Sequence, residues 1–203
     1  MNYILAIDQG TTGSTSLLID AKSFKFIDKE KVDYKQHYPK PGWVEHDLED
    51  IWESVGSSIS TLLKRHTVDT KNILAIGITN QRETTCAYDK KGKPLHHAIV
   101  WQDRRTAAYC DENREAYEKI CHKKTGLPLD SYFSATKMRW FLDNVPAVKV
   151  AQDRGELLMS TVDSFLCYRL SNGKSYVTEP SNASRTMLMD LETFDWDQDL
   201  MKF

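Results

Sequence analysis

The sequence predicts an α/β domain with a mixed sheet and flanking helices. Three strand-like segments stand in succession at the N-terminus, an amphipathic helix follows them, and another apolar strand comes directly after that helix. The length of 203 residues fits one large domain, or one and a half of ordinary size. A composition of 40% hydrophobic and 28% charged residues is typical of a globular protein and excludes disordered, collagen-like and coiled-coil classes.

The first three elements are strands. The apolar run Asn2–Asp8 stops at an acidic residue, Thr15–Asp20 follows a turn-forming segment, and Phe24–Val32 begins with alternating aromatic and charged residues. Short apolar runs bounded by turn residues are typical of strands. Three of them in close succession favour an antiparallel meander.

The first helix begins near Asp47, which is an N-cap candidate. Apolar residues then recur at helical spacing and form one stripe that can cover a sheet. This stripe consists of Leu48, Ile51, Trp52, Val55, Ile59, Leu62 and Leu63. Ile73–Thr79 is a candidate central strand, and Thr84–Tyr88 and Leu95–Trp101 are further strands on either side of a turn.

The second half of the chain is predicted to be mainly helical. A long helix ends at Gly126 and Pro128, and two shorter ones are closed by Pro146 and Gly173. The predicted helices are Thr106–Lys123, Ser134–Asn144, Ser164–Leu170 and the opening of a helix at Asp195–Phe203. This order of elements is that of a ribonuclease H-like domain, the fold of actin-like ATPases.

Composition also limits the function. Lys and Arg number 27 against 29 Asp and Glu, so the net charge of −2 argues against a nucleic-acid partner. No apolar run approaches the roughly 18 residues that cross a bilayer, and Met1 leads into a strand instead of a signal peptide, so we expect a cytoplasmic protein without membrane contact. The four cysteines are widely spaced, which predicts reduced thiols.

The turn Asp8–Ser14 is the first candidate site. Glycine permits a tight bend that directs main-chain N–H groups inward, and hydroxyl groups add donors, an arrangement that suits phosphate. The candidate cofactor-binding residues are Asp8, Gly10, Thr11, Thr12 and Ser14. Asp8, at the end of a buried strand, is also the candidate Mg²⁺ ligand, through water. The alternative is an ordinary hairpin turn.

The second candidate site is Thr79–Thr84, which follows an apolar strand. A polyol hydroxyl both donates and accepts, so the donor Arg82 beside the acceptor Glu83 can satisfy it. Neighbouring side chains in a regular strand point to opposite faces, so this hypothesis requires an irregular main chain at Arg82. The alternative is a surface ion pair.

Two aromatic residues complete the candidates. Trp101 lies in Val100–Arg105 and Tyr132 in a second polar and aromatic segment. Each has an apolar face for C–H groups and a polar tip for a hydroxyl, as in sugar and polyol pockets. Either residue could equally belong to the core.

Six blocks of sequence stand in order along the chain: Asp8–Thr12, Pro41–Asp47, Gly77–Thr84, Val100–Arg105, Tyr132–Lys137 and Ser181–Met187. Together they resemble the glycerol kinases of the FGGY carbohydrate kinase family, from Met1 to Phe203. The resemblance implies transfer of the ATP γ-phosphoryl group to a terminal hydroxyl of glycerol, with Mg²⁺. Xylulose-specific kinases of this family typically carry a Gln-Met-His-Gly-like run where this chain has Gln81–Thr84, so the sequence favours glycerol.

The resemblance also implies roles for single residues. Asp8 matches the family's metal and phosphate aspartate, and Thr11 and Thr12 match its phosphate-contacting threonines. The implied glycerol contacts are Arg82, Glu83, Trp101 and Tyr132. Thr15 stands where bacterial relatives commonly place an arginine beside the transferred phosphate, and loss of such a donor can lower the rate about 10²- to 10³-fold.

The same resemblance implies that residues 1–203 form the N-terminal actin-like domain and that the C-terminal domain, with the general base, lies beyond residue 203. We therefore expect the polyol and phosphate residues to line one cleft, little turnover by this chain alone, and self-association through apolar surface. The alternatives are a non-catalytic polyol-binding or regulatory module, another FGGY sugar kinase, and an actin- or chaperone-like ATPase.

Overall fold

The computed structural model describes residues 1–202 and divides into two compact units. The N-terminal unit comprises Met1–Gln36 and Asp47–Gln81, and the second unit comprises His37–His46 and the chain from Arg82 onward. The assignment of residues 1–203 to a single actin-like domain stays a prediction.

The described chain contains groups of consecutive strands and groups of consecutive helices. The strands are β1 (Tyr3–Gln9), β2 (Gly13–Asp20), β3 (Phe26–Asp33), β4 (Glu45–His46), β5 (Ile73–Asn80), β6 (Thr85–Asp89), β7 (Ala98–Ile99), β8 (Leu157–Thr161), β9 (Met189–Asp190) and β10 (Asp195–Trp196). The helices are α1 (Leu48–Arg65), α2 (Ala107–Thr125), α3 (Ser134–Asn144), α4 (Pro146–Asp153), α5 (Val162–Leu170) and α6 (Pro180–Ala183).

The N-terminal unit is a four-stranded mixed sheet with one helix packed on it. The strand order is β3-β2-β1-β5, with antiparallel β1–β2 and β2–β3 pairs and a parallel β1–β5 pair. The predicted meander and mixed sheet are therefore confirmed. Helix α1 packs on β2 and β3, and its buried face includes Leu48, Ile51, Val55 and Leu62.

Local chemistry explains where α1 begins. The Asp47 carboxylate accepts a hydrogen bond from the Glu49 N–H at 2.8 Å, which satisfies one of the unpaired donors of the first turn. Two hydroxyl pairs then join α1 to β2: Ser54 with Ser14, and Ser58 with Ser16, each at 2.7 Å. Buried hydroxyls need such partners, so these pairs fix the helix on the sheet.

Strand β5 lies at the edge of this sheet, whereas the sequence predicted a central strand. In residues 1–202 it pairs only with β1. Leu74 is 62% exposed and Ile76 is 46% exposed. The apolar composition of the strand thus indicates a surface that this part of the chain does not cover.

The second unit contains the sheet β4-β7-β6-β8, in which the strand pairs are antiparallel. Ala87 of β6 and Ile99 of β7 pack with Phe141 of α3 and Val148 of α4. A separate apolar cluster forms around α2 and includes Cys110, Cys121, Leu129, Met187 and Leu200. The helices of this unit thus contribute to both of these apolar clusters.

A buried guanidinium lies beside these cores. The Arg105 side chain is fully buried, with its Cζ atom 3.8 Å from the ring centroid of Trp43 and 4.5 Å from that of Trp140. Its Nη2 atom lies 2.8 Å from carboxylate oxygens of both Glu45 and Asp103. Two carboxylates and two indole faces compensate the buried charge.

Several predicted boundaries are wrong in this unit. Only Ala98–Ile99 of the predicted strand Leu95–Trp101 is a strand. The predicted helix Ser134–Asn144 is confirmed as α3, and Pro146 in addition opens α4 as a first-turn residue, where a missing N–H costs nothing. Strand β8 was not predicted.

The C-terminal prediction is also wrong over the described residues. Instead of opening a helix, Asp195–Trp196 forms β10, which pairs with β9, and a short 3₁₀ turn follows at Leu200–Lys202. Phe203 lies outside the described residues. The Lys124 ammonium contacts the Asp197 carboxylate, so this segment is held to the end of α2.

The four cysteines, predicted to be reduced thiols, form no disulfide in the described residues. Cys86, Cys110, Cys121 and Cys167 are all free, and the first three are buried. Burial raises the pKa of Cys110 to about 11, so that thiol stays protonated and unreactive at neutral pH. Across residues 1–202, every helix is too short or too polar to span a bilayer.

Candidate functional site

The turn between β1 and β2 is closed by its own main chain. The Gly10 N–H donates to the Gly13 carbonyl at 2.9 Å, and Asp8 is exposed at the end of β1. A Cβ atom on Gly13 would lie 2.7 Å from the Val32 carbonyl oxygen, so only glycine fits at this position.

The segment after β3 fixes the carbonyl groups of this turn. The Tyr34 hydroxyl donates to the Gly10 carbonyl at 2.5 Å, the Gln36 amide donates to the Thr11 carbonyl at 2.9 Å, and the Tyr34 N–H donates to the Thr12 carbonyl at 3.3 Å. Three successive carbonyl oxygens, which would otherwise repel an anion, are thereby capped by donors. This arrangement favours phosphate beside the turn.

Tyr34 is the centre of this network. Its oxygen accepts hydrogen bonds from the Gln9 amide at 2.8 Å and the Gln81 amide at 3.0 Å. Burial raises the pKa of Tyr34, so its hydroxyl remains a donor to Gly10. The sequence analysis did not identify Tyr34 or Gln36, because the link to the turn depends on the pairing of β2 with β3.

The residues present fit a hydrated magnesium ion. Asp8 provides an exposed carboxylate at the strand end, and Mg²⁺ typically takes one or two carboxylates and keeps several waters. Ser14 is fully buried and its hydroxyl bonds to Ser54, which gives that side chain a packing role. The predicted roles of Asp8, Gly10, Thr11, Thr12 and Ser14 toward a cofactor stay predictions.

The second candidate cluster begins at the turn between β5 and β6. The Thr84 N–H donates to the Arg82 carbonyl at 2.8 Å, and Glu83 has a left-handed main chain with φ of 64°. The irregular main chain that the sequence analysis required is therefore confirmed. Arg82 is exposed, whereas Glu83 is buried and only 3% accessible.

Glu83 has a partner that the sequence analysis missed. The Arg185 Nε–H donates to Glu83 Oε1 at 2.6 Å across 102 residues of chain. Among residues 1–202, the Oε2 atom of Glu83 makes no hydrogen bond. The Arg185 Cζ atom also lies 4.9 Å from the ring centroid of Phe133. Arg185 belongs to the Ser181–Met187 block, which was the available signal, although no role was assigned to it.

The two predicted aromatics lie beside this carboxylate. The ring centroids of Trp101 and Tyr132 are 5.6 Å apart, and both residues are half-buried. The main-chain N–H of Trp101 donates to the hydroxyl of Thr84, next to Glu83, at 3.2 Å. The Arg185 Cζ atom lies 6.0 Å from the Tyr132 ring centroid. The structure thus brings Glu83, Trp101 and Tyr132 into one cluster.

A well-formed cavity of the second unit contains none of the residues of this cluster. A cavity of about 440 Å³ in the second unit is lined by a different group, which includes Met138, Met159, Tyr176 and Trp196. In the described part of the chain, no three His, Cys, Asp or Glu side chains are grouped as metal ligands. The cluster around Glu83 is therefore identified by its chemistry and not by its volume.

A buried carboxylate with one oxygen bound by arginine and two adjacent aromatic faces can bind a small polyol. A sequence profile of the N-terminal domain of the FGGY family of carbohydrate kinases matches residues 3–203. The chain belongs to the FGGY family of carbohydrate kinases. The predicted resemblance is confirmed.

Relatives in this family match nearly the whole of this chain. The chain is 48% identical over 202 residues to a glycerol kinase of Deinococcus radiodurans, with 98% of this chain and 40% of that protein covered. It is 50% identical over 200 residues to a glycerol kinase of Rhodopirellula baltica, with 98% of this chain and 37% of that protein covered. The chain thus spans about 40% of the length of the relatives it matches.

Solved structures confirm the fold. Plasmodium falciparum glycerol kinase with ADP superimposes with a TM-score of 0.92 at 35% identity, covering 100% of this chain and 40% of that one. Xylulose kinase of Lactobacillus acidophilus, with bound ligand, superimposes with a TM-score of 0.84 at 24% identity. This match covers 99% of this chain and 39% of that one. The predicted actin-like ATPase fold is therefore confirmed.

Proposed function

We propose that this FGGY chain provides the glycerol-binding residues and a phosphate-binding turn of a glycerol kinase. That enzyme transfers the γ-phosphoryl group of ATP to a terminal hydroxyl of glycerol. The observation that supports this function best is the buried Glu83 carboxylate, with Arg185 on one oxygen and the Trp101–Tyr132 pair beside it.

The chemistry of this cluster suits a triol. In residues 1–202 the Oε2 atom of Glu83 has no hydrogen bond, so it can accept one from a glycerol hydroxyl. Arg82 precedes Glu83 in the same turn and is exposed, so its guanidinium can donate to the oxygen of a hydroxyl. The faces of Trp101 and Tyr132 suit the C–H groups of the carbon chain.

The nucleotide is assigned to the turn of the N-terminal unit. The proposed cofactor contacts are Asp8, Gly10, Thr11 and Thr12, and Asp8 would hold Mg²⁺ through water. The relatives named glycerol kinase, and the related structure that contains ADP, support nucleotide use. When bound, Mg²⁺ neutralises charge on the phosphates. ATP as donor and four free thiols favour the cytoplasm as compartment.

Calorimetry of the 203-residue polypeptide with glycerol tests the polyol site. We expect saturable binding that Glu83→Gln weakens about tenfold or more, because a hydrogen bond to a charged group contributes about 1.5 to 3 kcal/mol. Glu192→Gln, at an exposed glutamate of the same unit, is the matched control and should bind as the parent does. Absence of glycerol binding, or preferential binding of xylulose, would contradict the proposal.

Turnover tests how much of the reaction this polypeptide supports. With Mg-ATP and glycerol, residues 1–203 alone should be nearly inactive beside full-length Deinococcus radiodurans glycerol kinase. Correct placement of donor and acceptor is equivalent to about 10⁵ to 10⁸ M effective concentration, and the resemblance places the general base beyond residue 203. A steady-state rate near that of the full-length relative would refute this expectation.

A further inference from the structure

A fully buried lysine lies directly beneath the polyol cluster. Lys137, on α3, is 0% exposed, and in the described chain its ammonium forms no ion pair. Instead, Nζ donates to the Tyr132 carbonyl at 2.5 Å and lies 3.4 Å from each of the Glu83 and Phe133 carbonyls. Three main-chain oxygens thus surround one ammonium group.

These carbonyls belong to segments that are distant in sequence. The Glu83 carbonyl is 54 residues from Lys137, whereas those of Tyr132 and Phe133 directly precede α3. The Ser134 hydroxyl also donates to the Glu83 carbonyl, at 3.1 Å. The start of α3 therefore holds the turn that carries the polyol carboxylate.

We propose that Lys137 is a positioning residue of the polyol site, whose ammonium group holds the main chains of Glu83 and Tyr132 at the separation that glycerol binding requires. This inference rests on the proposed function. Lys137 would not touch glycerol itself, because its three N–H donors face main-chain carbonyls.

The protonation state of Lys137 determines how many of the three surrounding carbonyls receive a hydrogen bond. The ammonium group offers three N–H donors, whereas the neutral amine offers two and turns a lone pair toward an oxygen. Burial lowers the pKa of Lys137 to about 7. The facing groups Asp103, Glu83, Asp130 and Cys110 oppose this shift. Glycerol should therefore bind the ammonium form more tightly.

Affinity and stability then respond to pH in opposite directions. An unfolded lysine titrates near pH 10.4, so between about pH 7 and that value the unfolded chain binds more protons than the native chain. The contribution of Lys137 to the free energy of unfolding therefore rises with pH between about pH 7 and about pH 10.4, and it is smallest and constant below pH 7. Loss of glycerol affinity at alkaline pH could not then be attributed to destabilisation by this residue.

Calorimetry with glycerol at about pH 8, in two buffers of different ionisation enthalpy, measures the protons exchanged on binding. For the parent chain we expect uptake approaching one proton per glycerol, supplied by the buffer acid, and affinity about twentyfold lower near pH 8.5 than near pH 6.5. Lys137→Met should bind weakly and lose this proton uptake. Lys149→Met, at an exposed lysine on α4, should behave as the parent does.

Each outcome decides between the two proposals. If the parent chain binds no glycerol at any pH, the proposed function fails. If the parent binds glycerol without proton uptake, or if folded Lys137→Met retains the parent's affinity and uptake, the role of Lys137 is refuted and the function stands. If Lys137→Met does not fold, as judged by circular dichroism, the proton uptake of the parent chain decides alone.

Discussion

Glu83 has a main-chain conformation that non-glycine residues rarely adopt, and it also buries a carboxylate. Such strain persists only where the surroundings hold the residue in place. Here the Ser134 and Thr85 hydroxyls each donate to the Glu83 carbonyl at 3.1 Å, and Arg185 binds the carboxylate. The geometry of the polyol carboxylate is therefore set by residues around it.

Arg185→Gln should weaken glycerol binding about tenfold or more, because the buried Glu83 carboxylate then lacks its cation. Calorimetry on the folded variant measures this change. Arg139→Gln, which removes an exposed ion pair with Asp143, is the control and should leave the affinity unchanged. Parent-like affinity in Arg185→Gln would show that Glu83 binds polyol without this partner.

The candidate site was only partly predictable at this scale. Arg82 and Glu83 are adjacent, so their complementary chemistry is visible in the sequence. Arg185 and Lys137 are not recognisable in the same way, because their contacts cross 102 and 54 residues and exist only after folding. An isolated lysine on a helix gives no signal that three carbonyls will surround it.

At the scale of elements, the attachment of α1 to β2 depends on two buried hydroxyl pairs. The Ser54 hydroxyl donates to the Ile51 carbonyl at 2.8 Å, so Ser14 is the donor within the Ser14–Ser54 pair. Each buried hydroxyl has its partner, and removal of one leaves the other unsatisfied.

Ser54→Ala should lower the free energy of unfolding by about 1 to 3 kcal/mol, because the Ser14 donor is left buried without an acceptor. Urea denaturation measures the effect, and exposed Ser57→Ala is the control. The double variant Ser14→Ala and Ser54→Ala should be less destabilised than the sum of the single changes. Strict additivity would show that the two hydroxyls do not interact.

Long periodic elements were predicted well and short ones poorly. The stripe of α1 and the apolar run of β1 each contain enough residues to show a period. Strands β7 and β10 have two residues each, and their existence depends on partners elsewhere in the chain. Pro146 follows the end of α3 and also begins α4. The sequence analysis recognised only the helix end, because a proline is compatible with both positions.

At the scale of the whole molecule, six blocks of sequence were sufficient to identify the family, although they could not show the two compact units. Strand β5 leaves one edge without a partner strand within residues 1–202. Exposed apolar strand edges favour pairing with another chain.

We expect the 203-residue polypeptide to self-associate as its concentration rises, with β5 as part of the contact. Light scattering over a wide concentration range measures this behaviour. Ile76→Lys should reduce association by placing a charge on the edge strand, whereas Val150→Lys, at an exposed apolar residue of α4, should not. A strict monomer at every concentration would contradict the expectation.

The indole rings around Arg105 have a spectroscopic consequence. Of the five tryptophans, only Trp52 belongs to the N-terminal unit. Trp52→Phe would therefore confine the tryptophan fluorescence to the second unit, where Trp43 and Trp140 contact the Arg105 guanidinium. Emission would then follow the melting of that unit alone, and comparison with far-ultraviolet circular dichroism would reveal whether the polypeptide loses its structure cooperatively or in two stages.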